Sequence, residues 1–253
     1  MEQKWQQQLR KILGTAVFLT AVFFAGRQAA VMVNGVAEEA DAEGLSSEAE
    51  WKDDYSKMQK FCVVVDAGHG GADPGKVGTN GALEKDLNLA IAKRLAVLLE
   101  QSDVKVVMTR EDDSGLNDAD ADHKKVQDMK RRIARMEETN PDLVVSIHQN
   151  SYSTSDVKGA QTFYYTTSAE GKELAEVIQS RMVSGLDPTN HRVAKANDSY
   201  YLLKKTSKPI VIVECGFLSN PQEAQLLCDE VYQERVAWQV HMGVLQYLYG
   251  QER

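Results

Sequence analysis

Residues 62–71 are CVVVDAGHGG, an apolar run that ends in an aspartate and continues into a glycine-rich turn. A short valine-rich run bounded by glycines is typical of a strand buried in a sheet. The glycines permit a tight turn and place His69 just beyond the end of this strand. The segment therefore predicts both the first strand of a buried sheet and the first position where chemistry is expected.

The rest of the chain alternates between strand-like and helix-like segments. Four more apolar runs predict strands, at Val104–Thr109, Leu143–His148, Gln161–Thr166 and Ile210–Glu214. Helical spacing predicts helices over 84–101, 128–139, 170–184 and 230–249, and Pro221 suits the first turn of another. Continuous apolar strands separated by helices predict a single α/β domain with a mostly parallel, twisted sheet flanked by helices.

The first 60 residues differ from the predicted domain. Basic residues precede an uncharged, mostly apolar run from Ile12 to Gly26, which as a helix spans about 22 Å against a hydrocarbon core of about 30 Å. Residues 1–33 are predicted to be a signal peptide or a signal anchor, and both alternatives stay open. Residues 34–60 are predicted to be an acidic linker and 61–250 the catalytic domain, exported to the outer side of the cytoplasmic membrane.

Composition excludes some classes of partner and fold. The 253 residues carry a net charge of -8 and no basic stripe, so no nucleic-acid partner is expected. Three cysteines are an odd and sparse set that does not suit a disulfide framework, and Cys62 and Cys215, which lie in apolar strand-like runs, are interpreted as buried thiols. The polar stretch 111–125 predicts an exposed loop; a calcium site is the alternative, although its aspartates lack EF-hand spacing.

Chemistry-bearing side chains stand at the ends of three predicted strands. His69 follows the first strand, His148 ends the run LVVSIH, and Glu214 ends the run IVIVE. In open α/β sheets the functional cleft lies at the carboxyl ends of the strands, so these side chains are expected to converge. Two histidines and one carboxylate form a known catalytic zinc set with one position open for water.

A further carboxylate is expected from a fourth segment. Glu84 is the best placed, in the first turn of the helix after the glycine-rich loop, with Asp73 and Asp86 as alternatives. Each histidine or glutamate alone would more often be structural, and only their joint pattern favours a metal site. The remaining histidines are interpreted as structural: His123, His191 and His241.

Several motifs in order resemble those of one enzyme family. They are VVVDAGHGGADPG at 63–75, NGALEKDLNLAIAKRL at 80–95, NPDLVVSIHQNSY at 140–152, KGAQTFYY at 158–165 and KKTSKPIVIVECGFLSNPQEAQLL at 204–227. Together they strongly resemble the zinc-dependent N-acetylmuramoyl-L-alanine amidases. The resemblance implies Zn²⁺ ligands at His69, Glu84 and His148, a catalytic glutamate at Glu214 and a substrate-cleft residue at Asn150.

The resemblance also implies substrate and partners. The substrate would be peptidoglycan, cut at the amide between N-acetylmuramic acid and L-alanine. A short hydrophobic segment joined to one catalytic domain is similar to the spore-cortex amidases, which prepare muramic-δ-lactam for germination. An accessory protein docking on 111–125 and membrane attachment through an uncleaved N-terminus are further expectations. The alternatives are a zinc peptidase or deacetylase of peptidoglycan, and a non-catalytic or partner-dependent wall-binding regulator.

Asp66 leaves two interpretations open from the sequence. It follows the first strand directly and precedes the glycine-rich turn. It could orient a metal ligand from behind, or it could simply stabilise the turn.

Overall fold

The computed structural model describes residues 59–250. The predicted segment 1–33 and nearly all of the linker 34–60 lie outside the described residues and stay predictions. Among the helices of residues 59–250, none has both the length and the apolar character needed to cross a membrane.

The core of the fold is one mixed sheet of six strands within the described residues, one strand more than the sequence predicted. Its strands are β1 (Phe61–Ala67), β2 (Val104–Met108), β3 (Leu143–Asn150), β4 (Gln161–Tyr165), β5 (Lys195–Asn197) and β6 (Ile210–Phe217). Their order across the sheet is β2-β1-β3-β6-β4-β5. β2, β1, β3 and β6 are parallel, β4 runs antiparallel to β6, and β5 is parallel to β4. The prediction of a mostly parallel sheet is confirmed.

Within residues 59–250, six helices cover the two faces of the sheet. They are α1 (Glu84–Glu100), α2 (Lys124–Thr139), α3 (Ala169–Leu186), α4 (Tyr201–Lys205), α5 (Pro221–Leu227) and α6 (Glu230–Gly250). The larger apolar cluster joins one face of the sheet to α1, α3, α5 and α6, and the smaller joins the other face to α2 and α4. Each fully buried leucine or isoleucine in these clusters contributes roughly 1.5–3 kcal/mol.

Some elements differ from the expected ones. α2 begins at Lys124 rather than at residue 128. This start was missed because residues 124–126 are exposed and their one apolar side chain, Val126, shows no helical period. β5 and α4 were not predicted, since they are too short to show a period. α2 ends where expected, with Asn140 in the left-handed region at φ 48° just before Pro141.

The alternation of side chains along the strands determines where the site lies. Over residues 63–67 of β1, 143–147 of β3 and 210–215 of β6, the odd-numbered apolar residues belong to the larger cluster and the even-numbered ones to the smaller cluster. Further along the same strands the even positions become polar, at Asp66, Ser146, His148 and Glu214. His148 and Glu214 are register partners on the parallel strands β3 and β6. The sheet therefore carries its polar groups at its carboxyl edge, on the side of α2 and α4.

Candidate metal centre

Three of the residues predicted to bind a metal come together. His69, Glu84 and His148 each offer one donor atom, and these atoms lie within 4.8 Å of one another. Nε2 of His69 is 3.2 Å from Oε2 of Glu84, and Nδ1 of His148 is 3.0 Å from Oε1 of the same carboxylate. One oxygen of Glu84 therefore faces each imidazole, and the three groups form a set that could hold one cation.

The Glu84 carboxylate is buried and fixed by backbone amides. The amide of Lys76 donates to Oε2 at 2.8 Å, and the amide of Gln149 donates to Oε1 at 3.1 Å. Burial alone would raise the pKa of Glu84, but the hydrogen bonds from His148 and His69 outweigh it and hold the pKa well below its usual range. The site therefore places a carboxylate that favours its anionic form between two imidazoles.

Two buried arginines hold the loop that carries His69. This residue has φ 63°, in a region that residues other than glycine rarely adopt. Arg110 donates to the carbonyls of Ala67 at 2.9 Å and Gly68 at 3.1 Å. Arg132 donates to the carbonyl of Ala67 at 2.8 Å and also to that of His69. The strained conformation is thus maintained by hydrogen bonds to three consecutive carbonyls.

Asp66 acts on this loop through Arg132. The carboxylate is 1% exposed; its Oδ1 accepts from Arg132 at 2.7 Å and from Thr109 at 2.7 Å, and its Oδ2 accepts from Ser146 at 2.5 Å. Burial would raise the pKa of Asp66, but the guanidinium of Arg132 and the two hydroxyl donors lower it to about 2. Of the two interpretations of Asp66, the contacts favour stabilisation of the turn.

The two alternative carboxylates, Asp73 and Asp86, do not lie between the two imidazoles. Oδ2 of Asp73 is 2.9 Å from Nδ1 of His69, on the ring nitrogen that does not face Glu84. A carboxylate at this position fixes the orientation of a metal-binding imidazole and leaves its other nitrogen free. Asp86 is exposed on α1 and does not belong to the cluster. Glu84 is therefore the carboxylate that joins the two histidines.

Two glycines let the backbone approach the cluster closely. A Cβ at Gly68 would lie 2.2 Å from Nε2 of His148. Gly75 has φ +67°, and a Cβ there would lie 2.6 Å from Oε2 of Glu84. Both positions require glycine because any side chain would displace a group of the cluster.

Glu214 lies beside this cluster with one oxygen unused. The residue is 7% exposed, and its Oε2 has no hydrogen-bond partner among the described residues. Its Oε1 is 3.5 Å from the hydroxyl of Tyr200. Burial is the main cause that raises the pKa of Glu214 to about 7, and the negative charge of Glu84 adds to it. A carboxylate with a pKa near neutrality suits proton transfer in both directions.

The cleft over the cluster lies between the edge of the sheet and the helices α2 and α4. Its lining includes His69, His148, Glu214, Met129, Tyr200 and Tyr201. Asn150 is not part of this lining. It ends β3, and its Oδ1 accepts from the amide of Ser151 at 2.8 Å.

The other histidines, the acidic loop and the cysteines take no part in the cluster. His123 and His191 are exposed, and His241 is buried 2.9 Å from the hydroxyl of Ser102. Within residues 59–250, no three His, Cys, Asp or Glu side chains of the loop 111–125 bring their donor atoms together as His69, Glu84 and His148 do. Cys62, Cys215 and Cys228 are free thiols.

The structure adds residues that the sequence prediction missed. Arg110, Arg132 and Tyr200 all act on the loop of His69 or on Glu214. Arg132 left a signal in the sequence, because it shares the helical spacing of Met129, Ile133 and Met136 and so lies on a face that is buried. Tyr200 left none, because it precedes a helix too short to show a period.

Comparison with known proteins finds a matching protein family. Residues 63–246 match the family Amidase_3, described as N-acetylmuramoyl-L-alanine amidase. The germination-specific N-acetylmuramoyl-L-alanine amidase of Bacillus subtilis strain 168 is 36% identical over 206 residues, which cover 80% of this chain and 86% of that protein.

Solved structures show the same fold. The CwlD amidase of Clostridioides difficile, in complex with the GerS lipoprotein, is 42% identical with a TM-score of 0.73 and matches 75% of this chain and 99% of that one. The N-acetylmuramoyl-L-alanine amidase AmiC2 of Nostoc punctiforme is 35% identical with a TM-score of 0.66, matching 75% of this chain and 98% of that one.

Proposed function

We propose that this chain, which belongs to the N-acetylmuramoyl-L-alanine amidase family, cuts peptidoglycan with the help of Zn²⁺ held by His69, Glu84 and His148. The bond hydrolysed is the amide between the lactyl group of N-acetylmuramic acid and the L-alanine of the stem peptide. The observation that carries the proposal is the convergence of the three donor atoms within 4.8 Å of one another, beside the buried carboxylate of Glu214.

The donor set fits Zn²⁺. Two imidazole nitrogens and one carboxylate oxygen are the protein ligands of known catalytic zinc sites. Glu84 is held anionic, and Asp73 occupies Nδ1 of His69 so that Nε2 remains available. When bound, Zn²⁺ supplies Lewis acidity toward the amide carbonyl and toward water.

Glu214 is proposed to move the proton. Its Oε2, which has no hydrogen-bond partner in residues 59–250, is proposed to accept a proton from the water that attacks the lactyl carbonyl. The same oxygen then donates that proton to the nitrogen of the departing L-alanine, so that the products are a lactyl carboxyl group and a free amine. A pKa of about 7 allows both transfers near neutral pH.

The biological setting is proposed from the relatives. Similarity to a germination-specific amidase and to CwlD favours a role in the spore cortex, where removal of the stem peptide leads to muramic-δ-lactam. Export to the outer face of the membrane or to the cortex follows from that setting. Because CwlD was solved with a lipoprotein, we also propose an accessory protein for this chain, docking on the exposed loop 111–125.

Mass spectrometry of muropeptides tests the activity. The purified protein should release free stem peptide and leave muramic acid unsubstituted at the lactyl group. A chelator should abolish the release and added Zn²⁺ should restore it. A shortened peptide or a deacetylated sugar would instead identify a zinc peptidase or deacetylase, and zinc binding without any product would identify a regulator.

Two substitutions test the proposed roles of Glu214 and Asn150. Glu214→Gln should keep Zn²⁺ bound and lose turnover by about 10²–10⁴-fold, the usual contribution of a general acid–base group. Full turnover in that variant would remove Glu214 from the mechanism. We also propose that Asn150 contacts the substrate outside the residues that line the cleft; Asn150→Ala should then raise KM while Zn²⁺ content stays unchanged.

A further inference from the structure

The two oxygens of Glu214 have different surroundings. Oε1 faces the hydroxyl of Tyr200 at 3.5 Å, whereas the buried Oε2 has no partner within the described part of the chain. A carboxylate free at both oxygens could rotate and present either one. In Glu214 the contact with Tyr200 distinguishes the two oxygens. Tyr200 can hold Oε1 in place only if its own position is fixed.

Tyr200 is held by contacts along its whole length. Its amide donates to Oδ1 of Asn197 at 2.8 Å, and its carbonyl accepts from the amide of Lys204 at 3.1 Å, at the start of α4. Its ring packs edge-on against Phe163, with centroids 5.6 Å apart and planes at 73°. Backbone and ring are therefore both positioned, and the hydroxyl is aimed at Glu214 from a rigid support.

The hydroxyl keeps its proton throughout the neutral range. Burial, together with the negative charge of Glu214, raises the pKa of Tyr200 to about 12. A protonated phenol can donate, and the described residues give this hydroxyl an acceptor in Oε1 of Glu214. Contacts of this kind are often long before substrate binds and shorten in the complex.

We propose that Tyr200 is a positioning residue that anchors Oε1 of Glu214 and thereby reserves Oε2 for proton transfer. The inference rests on the amidase function proposed above. It concerns the orientation of the catalytic carboxylate, since Tyr200 contacts none of the side chains His69, Glu84 and His148 through a hydrogen bond in the described residues.

The test is Tyr200→Phe, which removes the hydroxyl and keeps the ring against Phe163. We expect kcat on a defined muropeptide to fall about tenfold, the effect of one hydrogen bond, while KM and Zn²⁺ affinity change less than about twofold. The matched control is Tyr165→Phe, because Tyr165 packs against the same smaller apolar cluster and makes no hydrogen bond to Glu214 in the described residues. The control should retain the wild-type kcat.

Adding Tyr200→Phe to the variant Glu214→Asp shows whether Tyr200 acts through Glu214. The shorter side chain withdraws its carboxylate from the hydroxyl, so Tyr200→Phe should change kcat less than about twofold in that background. An equal loss in both backgrounds, or a wild-type kcat in Tyr200→Phe alone, overturns the inference and leaves the amidase function intact. A wild-type protein that releases no stem peptide with Zn²⁺ present overturns both.

Discussion

Replacing Asp66 by asparagine should destabilise the protein at neutral pH and have a smaller effect in acid. Asparagine resembles the protonated carboxylic acid in shape, so the substitution removes the negative charge with little change in packing. Asp66 is buried against Arg132, whose Nη1 is 2.7 Å from Oδ1. Loss of the carboxylate charge therefore leaves a buried guanidinium with one fewer partner.

The magnitude follows from the pKa of Asp66. Its fall from 3.8 to about 2, at about 1.36 kcal/mol per unit, corresponds to about 2 kcal/mol of stabilisation. Because the pKa is lower in the folded state, this stabilisation is fully present above the unfolded value. It is lost as the pH falls from about 4 toward 2. The difference between wild type and Asp66→Asn should thus be constant near neutrality and shrink below about pH 4.

Denaturant unfolding followed by circular dichroism measures both quantities. Titrations at pH 7 and again near pH 3 give the difference in free energy of unfolding under each condition. The matched control is Asp118→Asn, which breaks a contact to Arg131 of the same 2.7 Å length on an exposed surface. Exposed pairs contribute little, so the control should stay close to wild type.

Two results would refute this reasoning. If Asp66→Asn unfolded at the same denaturant concentration as Asp118→Asn at pH 7, the buried pair would not stabilise the fold. If the destabilisation at pH 7 persisted undiminished near pH 3, it would come from packing rather than from the charge.

Three further substitutions test the cluster and its support. Glu84→Gln should lower Zn²⁺ affinity by more than about tenfold, since loss of a group that only hydrogen-bonds a metal ligand already costs about 10–100-fold. A competition titration that gave wild-type affinity would exclude Glu84 as a ligand. Gly68→Ala forces the ring of His148 away from a Cβ at 2.2 Å and should also weaken Zn²⁺ binding, whereas Gly250→Ala, with nothing within 4 Å, should not. Arg132→Lys keeps the charge but lacks the planar fork, so kcat/KM should fall, and an unchanged value would make the carbonyl contacts dispensable.

The sequence was most informative where strand-forming residues give way to a polar group. His69, His148 and Glu214 stand out because valine- and isoleucine-rich runs end at them or just before them, and an unpaired carboxylate is costly to bury. The choice of Glu84 as the carboxylate of the metal site was harder to make from the sequence, because Asp73 is closer to His69, in the same glycine-rich segment. Only the fold shows that Asp73 contacts the far nitrogen of His69 while Glu84 contacts both imidazoles.

The groups that the sequence did not reveal are those whose role depends on contacts distant along the chain. Arg110 and Arg132 bind carbonyls of the loop before and at His69, and no local pattern relates residues that lie so far apart in sequence. β5 and α4 were missed for a different reason, since three and five residues cannot display a period. Tyr200, which α4 positions, was missed with them.

The period of two along the strands explains why the site forms on one side of the sheet. Register pairs Asp66 with Ser146 and His148 with Glu214, so the polar even-numbered positions of three strands fall on the same face. Their odd-numbered neighbours, such as Val213 and Ile147, are buried in the larger apolar cluster. A shift of one residue in β6 would exchange these sets, placing Glu214 in the apolar core and Val213 over the cleft. The burial of the valines and isoleucines on the opposite face therefore fixes the register that brings His148 and Glu214 to the same edge of the sheet.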